Sequence, residues 1–379
     1  MEKIVAFLQK QQTQMVDVLK QLVEMESPSR DKELVDELGK VIAGLLASYI
    51  GGKGEVIPNE GFGNHLRWEW GQGDEQILLL AHMDTVWPKG TLASMPFRIE
   101  GDRAYGPGTF DMKGGFVQGL FALHALTQLE VPLKKKVVLL VTSDEEIGSG
   151  TSRAHIEAEA KKSSSVLVLE SSAGTAGAMK TSRKGVGLFQ LKVKGVAAHA
   201  GIEPEKGVSA IGELAEQIAY LHRLTEMDKG TTVNVGVIKG GSASNVIAAE
   251  AEAEVDLRVR SREEAERVVP LIKNLTPKQA GASIEVTGGI NRPPLERTEQ
   301  VGQMYRLAKS LAKTYLHFDL QEMESGGGSD GNFAAPYAPT LDGLGPVGDG
   351  AHAAHEHVII SQLPVRSALL ALLIKELGA

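Results

Sequence analysis

A set of imidazoles and carboxylates spread along 379 residues could do chemistry together: His82 and Asp84, Asp111, Glu145 and Glu146, Glu170, His199 and His352. Such side chains ligate divalent metals, and a carboxylate beside a metal can take a proton from water. Cysteine is absent. That excludes disulfide scaffolds, iron–sulfur clusters, Cys-ligated zinc and thiol nucleophiles together. Any metal must therefore be held by His, Asp and Glu. Phosphate-cradling machinery lacks its main support, since there is no G-x-x-x-x-G-K-[ST] loop. The run Gly326–Gly331 satisfies G-x-G-x-x-G, but Pro336 and Pro339 cut short the long helix that dinucleotide binding needs. His355-Glu-His357 lacks the i, i+4 spacing of H-E-x-x-H.

These residues must be positioned by the elements around them. Three short runs rich in Ile, Val and Leu, at 76–81, 136–141 and 165–169, read as strands buried on both faces of a mostly parallel sheet. Between the first two, Phe116, Leu120, Leu123 and Leu126 predict a helix over 112–129. The first strand runs into His82-Met-Asp84, the second into Asp144-Glu145-Glu146 and the third into Glu170. Ligands of open α/β sheets gather outside the carboxyl ends of the strands. Each acidic residue alone has a plainer explanation as a helix cap or turn former, but caps do not readily explain three such strand ends together. Asp111 lies in Gly106-Pro-Gly-Thr-Phe-Asp-Met-Lys-Gly-Gly115, where it could be a simple N-cap or be aimed over the sheet by the glycines. Position alone does not choose among His352, His355 and His357.

The middle of the chain changes period. Phe189, Leu191 and Val193 alternate with polar residues, and 251–260 alternates without a break, as expected of an antiparallel sheet with one wet face. With helices over 207–224 and 263–275 and strands near 232–238 and 282–287, the order is β-α-β-β-α-β, a ferredoxin-like unit. The expected organisation is an α/β domain over 1–182 and 291–379, interrupted by a lid over 183–290. The chain then closes on an apolar helix over 362–377.

Taken in order, His82-x-Asp84, Gly-x-x-Asp111-x-Lys-Gly, Asp-Glu145-Glu146-x-Gly-Ser, Glu170, His199-Ala-Gly and His352-x-x-x-Glu356 resemble the M20 family of co-catalytic zinc peptidases, most of all its glutamate carboxypeptidase (carboxypeptidase G2-like) branch. The likeness spans nearly the whole chain. It implies that Asp111 bridges two zinc ions, with His82 and Glu170 completing one site and Glu146 and His352 the other; cobalt or manganese could substitute. It also implies that Asp84 accepts the ring N–H of His82. Glu145 would then be the general base, and His199 on the lid would help bind the oxyanion. Asn245, Arg258 and the Gly326–Asp330 loop, with Gly327 and Gly328, match positions that hold the substrate's carboxylate end. Two dications roughly 3.5–4 Å apart need an anionic bridge, which a carboxylate supplies. Arg258 has a plainer explanation, because Glu252, Glu254, Asp256 and Arg260 share its polar strand face.

The expected activity is hydrolysis of an amide bond near a free carboxylate, by a carboxypeptidase or dipeptidase. The alternatives are an N-acyl-amino-acid amidohydrolase with the same metals, such as a deacetylase or desuccinylase, and a noncatalytic metal-binding protein on the same fold. Glu324 would repel an acidic substrate side chain if it pointed into the pocket, and Lys180, Arg183 and Lys184 could offset it, so the side-chain preference stays open. The expected partners are a small peptide or acyl-amino-acid substrate and a second copy of the chain, joined through the lid. A net charge of −8, from 40 basic and 48 acidic residues, argues against nucleic acid or an anionic membrane. No apolar run approaches the roughly 18 residues that span a bilayer, and the amphipathic N-terminus lacks a signal peptide's pattern. A cytoplasmic protein is the expectation.

Overall fold

A computed structural model describes residues 1–379, which divide into two compact units. The first comprises Met1–Ser182, Arg297–Ser325 and Ser329–Ala379. Its main strands are β1 (Lys53–Ile57), β2 (His65–Trp70), β3 (Gln76–His82), β4 (Lys136–Thr142) and β5 (Ser163–Val168). The sheet order is β1-β2-β4-β3-β5, and the short strand Thr340–Leu341 adds beside β5. β4, β3, β5 and Thr340–Leu341 run parallel, while β1 and β2 form an antiparallel edge.

The central strands are apolar through their middles because both faces are covered. Ile77, Leu79, Ala81, Val137, Leu139 and Val141 point into one cluster with the helices Lys32–Ile50, Gly114–Gln128 and Gln362–Leu377. Leu78, Leu80, Val138, Leu140, Val166 and Val168 point the other way, against Ile156, Ala160 and Phe333. Period-two geometry sends alternate side chains to opposite faces, so burial on both favours apolar residues at successive positions and leaves the polar ones to the strand ends. The helix Gln362–Leu377 is likewise enclosed, with Leu363, Leu369, Leu370, Leu372, Leu373 and Ile374 fully buried.

The second unit comprises Arg183–Glu296 with Gly326–Gly328. Its strands β6 (Gly185–Lys194), β7 (Thr232–Gly240), β8 (Glu250–Val259) and β9 (Ser283–Arg292) form an antiparallel sheet in the order β7-β8-β6-β9. The helices Ala210–His222 and Arg262–Lys273 pack on one face, around Phe189, Leu191, Val193, Val255 and Leu257. This is the ferredoxin-like order. The unit ends at Glu296 instead of 290, because β9 continues to Arg292 and Leu295 pairs with Arg183 through both main-chain hydrogen bonds. No helix of the chain is long and apolar enough to cross a membrane.

Candidate metal centre

Because β4, β3 and β5 are adjacent and parallel, their carboxyl ends share one rim. His82 closes β3 at its centre, Glu145 and Glu146 follow β4 on one side, and Glu170 follows β5 on the other. Consecutive glutamates could not both face the rim from a strand. They do not lie on one: Glu145–Ile147 form a tight turn, closed by Gly148 at φ +99°.

Asp111 arrives from outside the main sheet. A small antiparallel sheet carries Arg98–Glu100, Arg103–Tyr105, His357–Ile359 and Gly348–Asp349 side by side, which sets residues 106–113 against the loop 350–356. The helix expected from 112 begins only at Gly114. Before it the chain is irregular, with Asp111 at φ −121°, ψ 95°, so Asp111 is not a plain N-cap. Gly108 makes this path possible: it sits at φ +74°, and a Cβ there would lie 2.7 Å from a Thr85 methyl. A Cβ on Gly115 would lie 1.9 Å from the Leu169 carbonyl, so only glycine lets the helix start against the strand end that carries Glu170.

Asp111 divides its oxygens between two imidazoles. Oδ1 lies 3.2 Å from His82 Nε2, which is also 3.4 Å from Glu170 Oε1. Oδ2 lies 3.4 Å from His352 Nε2, which is also 3.2 Å from Glu146 Oε2. Donors roughly 2.0–2.2 Å from a tetrahedral zinc sit about 3.4 Å apart, so both spacings suit a metal between the atoms. The chemistry agrees: Glu146 Oε1 is buried and takes no hydrogen bond, and donor atoms of Glu145, His82 and Glu170 lie within 4.8 Å of one another. His355 is exposed and His357 is buried against Tyr105, which leaves His352 as the histidine of its loop that faces the cluster. His352 holds a left-handed backbone at φ +61°, uncommon outside glycine.

The electrostatics follow from packing acids around two rings. Burial opposes charging His82, but the carboxylates of Asp111, Asp84 and Glu170 around it outweigh that and hold the ring well above its ordinary value. Hydrogen bonds to Asp111 and Glu146 push His352 up to about 10. Burial alone would raise Asp111, yet its bonds to His352 and His82 bring it well down. Burial raises Glu146, against the pull of His352 and with the Asp111 charge adding to the rise. The cluster demands positive charge, which a dication supplies better than a proton.

Asp84 departs from the expected arrangement. The nearest acceptor for His82 Nδ1 is the Asp84 main-chain oxygen, at 3.0 Å, while the carboxylate stands 3.5 Å away. That carboxylate instead accepts from Ser29 Oγ (2.7 Å) and from the amides of Glu145 and Glu146 (3.2 Å each). It therefore shapes the turn bearing both glutamates. Asp330 braces the same turn, accepting from Thr142 and Ser149, and is buried.

Within the second unit the expected substrate groups separate. His199 and Asn245 come together, because Ala200 N–H donates to the Asn245 carbonyl and His199 bridges to Val246. His199 is exposed and its Nδ1 accepts from Gly201 N–H, which leaves Nε2 to carry the proton. Arg258 lies on β8, and its fork is taken by both oxygens of Asp256, at 2.8 and 2.9 Å. The strand-face reading of Arg258 thus has direct support, since Asp256 sits two residues away on the same face. Gly327 and Gly328 present their carbonyls to Arg183, at 3.2 and 3.1 Å, so this arginine is committed to the loop. Ser29 and Trp87 had no signal in the sequence, and Glu356 and Asp330 stood in the motifs without any indication that they brace other segments. Their partners lie 55 to 269 residues away.

The model of peptidase family M20/M25/M40 matches residues 78–376. Carboxypeptidase G2 of Pseudomonas sp. (strain RS-16) is 34% identical over 315 residues, which cover 82% of this chain and 75% of that protein. A tripeptidase from Staphylococcus aureus shares the fold with a TM-score of 0.80 at 22% identity, over 97% of this chain and 98% of that one. A dinuclear metal-binding M20 peptidase of Bacillus subtilis does so with a TM-score of 0.72 at 17% identity, over 97% and 98%.

Proposed function

The chain is a metal-dependent hydrolase of peptidase family M20/M25/M40, in its carboxypeptidase G2-like branch, and from that premise we propose that it is a two-zinc carboxypeptidase or dipeptidase acting on small peptides. The observation that carries this reading is the division of Asp111 between the His82–Glu170 and His352–Glu146 pairs. Those five residues would hold the metals. Bound there, two dications supply Lewis acidity that polarises a carbonyl and acidifies water toward neutral pH. Glu145 takes the proton from the attacking water and returns it to the leaving amine, held at the rim by the hydrogen bond that its main-chain N–H donates to the Asp84 carboxylate. His199 offers its Nε2 proton to the developing oxyanion, and Asn245 lies beside it.

Recognition of a free carboxylate is part of the proposal, and it draws on the name of the 34%-identical relative. Asp256 occupies Nε and one Nη2 proton of Arg258, so Arg258 would serve it through its remaining guanidinium N–H groups or by exchanging Asp256 for the substrate. A homodimer through the second unit also belongs to this reading. Edge strand β7 exposes Val237 at 42% and Ile238 at 63%, apolar surface that a second copy would cover. The test is a hydrolysis screen of dipeptides, acyl-glutamates and acetyl amino acids, each as acid and as terminal amide, after chelation and zinc return. Turnover only with metal and only on acids is expected. Equal efficiency on acids and amides would refute carboxylate recognition, and full turnover by metal-free protein would refute the metal reading.

A further inference from the structure

We propose that Glu356 is a positioning residue that fixes the geometry of Asp111, an inference that rests on reading Asp111 as the ligand shared by two metals. Glu356 is fully buried, and its carboxylate accepts four N–H groups. Oε1 takes the amides of Phe110 and Asp111, both at 3.0 Å. Oε2 takes the amide of Gly108 at 2.9 Å and the indole N–H of Trp87 at 2.8 Å. No hydroxyl is among these donors, so none can turn round and accept instead. The carboxylate thus works as an anionic core around which residues 108–111 wrap, and one of its bonds falls on the amide of Asp111 itself.

The same residue closes the loop that bears His352. Glu356 N–H donates to Ala353 O at 2.9 Å, and Glu356 O accepts from Gly106 N–H at 3.3 Å. His357, directly after it, pairs with Tyr105 in the small sheet. One side chain and its backbone therefore tie together the two segments that supply Asp111 and His352. The hydrogen bonds of the Glu356 carboxylate go to main-chain amides and Trp87, so it acts through Asp111.

Glutamine at this position cannot reproduce the arrangement. It has the same size but one acceptor oxygen, and its NH2 would face two N–H donors in either orientation. Glu356→Gln is expected to free the 106–113 segment, so that Asp111 no longer presents one oxygen to each imidazole. Losing a supporting partner of a metal ligand weakens metal binding by ~10–100-fold. Trp87→Phe removes one donor, keeps all three amide bonds and should give a smaller loss in the same direction.

The experiment titrates zinc into metal-free wild type, Glu356→Gln and Trp87→Phe against a competing chelator. Peptide-level amide exchange across 106–113 is followed on the same metal-free samples. The expected result is two zinc ions in the wild type, weaker zinc binding in the order wild type, Trp87→Phe, Glu356→Gln, and faster exchange confined to 106–113. A purely structural role would lower thermal stability and leave zinc affinity unchanged. If the wild type binds two zinc ions and both variants bind them equally well, the role of Glu356 is overturned while the reading of Asp111 stands. If the wild type binds fewer than two, both are overturned. Should Glu356→Gln fail to fold, an unchanged zinc affinity in Trp87→Phe overturns the proposal by itself.

Discussion

Replacing Asp84 with asparagine separates two ways in which that carboxylate could serve the metal centre. If its main task were to accept the His82 ring proton, the variant would disturb the ring's tautomer and the His82 side of the site. The geometry places the cost elsewhere, because His82 Nδ1 already donates to the Asp84 main-chain oxygen at 3.0 Å, which the substitution leaves intact. In the better amide orientation, oxygen stays at Oδ1 toward Glu145 N–H and the NH2 replaces Oδ2. Ser29 can then reverse its hydroxyl to accept, but the Glu146 amide is left facing another donor. A hydrogen bond to a charged group contributes roughly 1.5–3 kcal/mol, and a buried unpaired donor costs about 1–3 kcal/mol. Some of this overlaps, so the metal-free protein should lose about 2–4 kcal/mol of stability. Urea unfolding of metal-free wild type and variant measures that loss, and nitrogen-15 NMR of the His82 ring in the zinc-loaded proteins reports the tautomer. The expected outcome is a destabilised protein whose His82 still carries its proton on Nδ1. A tautomer change with stability unaltered would refute the reasoning and restore the expectation that the carboxylate serves the ring.

Glu145→Gln should keep both metals and lower turnover by roughly 10²–10⁴, whereas His82→Ala should lose metal; metal analysis beside kcat tests the division, and identical behaviour would break it. His199→Ala should reduce kcat more than it raises KM, since an oxyanion contact counts chiefly in the transition state; an unchanged kcat would return His199 to a plain surface loop. At the far end of the sheet, burial would raise Glu159, but Gln76, Lys162 and Arg67 pull it from 4.5 down to about 2. Its folded pKa is depressed, so the stabilisation is complete above about pH 4.5 and is lost as the pH falls toward 2. Linkage allows at most about 3 kcal/mol, and screening at Lys162, which is 59% exposed, reduces this to roughly 2 kcal/mol. Glu159→Gln should therefore be less stable than the wild type at pH 7 in urea unfolding, with the gap closing by about pH 2; a gap independent of pH would refute the linkage.

Hydrophobic period and strand-end chemistry were legible without coordinates. Uninterrupted apolar runs at 76–81 and 136–141 imply burial on both faces, and unbroken alternation over 251–260 implies burial on one; each follows from local geometry alone. His82, Glu145, Glu146 and Glu170 could be placed on one rim because parallel strands must end on the same side. Tertiary structure decided what depends on distant partners. Position along the chain does not choose among His352, His355 and His357; the motif order named His352, and what brings it to Asp111 is a small sheet that sets residues 106–113 against 350–356. Arg258 is gripped by a residue only two positions away, yet a sequence cannot tell a paired guanidinium from one turned toward a ligand. Asp84 serves the Glu145–Glu146 turn more than the imidazole beside it, because the main chain reaches His82 first. Period and strand direction are properties of neighbours along the chain. A hydrogen-bond partner is fixed only when packing brings segments tens to hundreds of residues apart within about 3 Å.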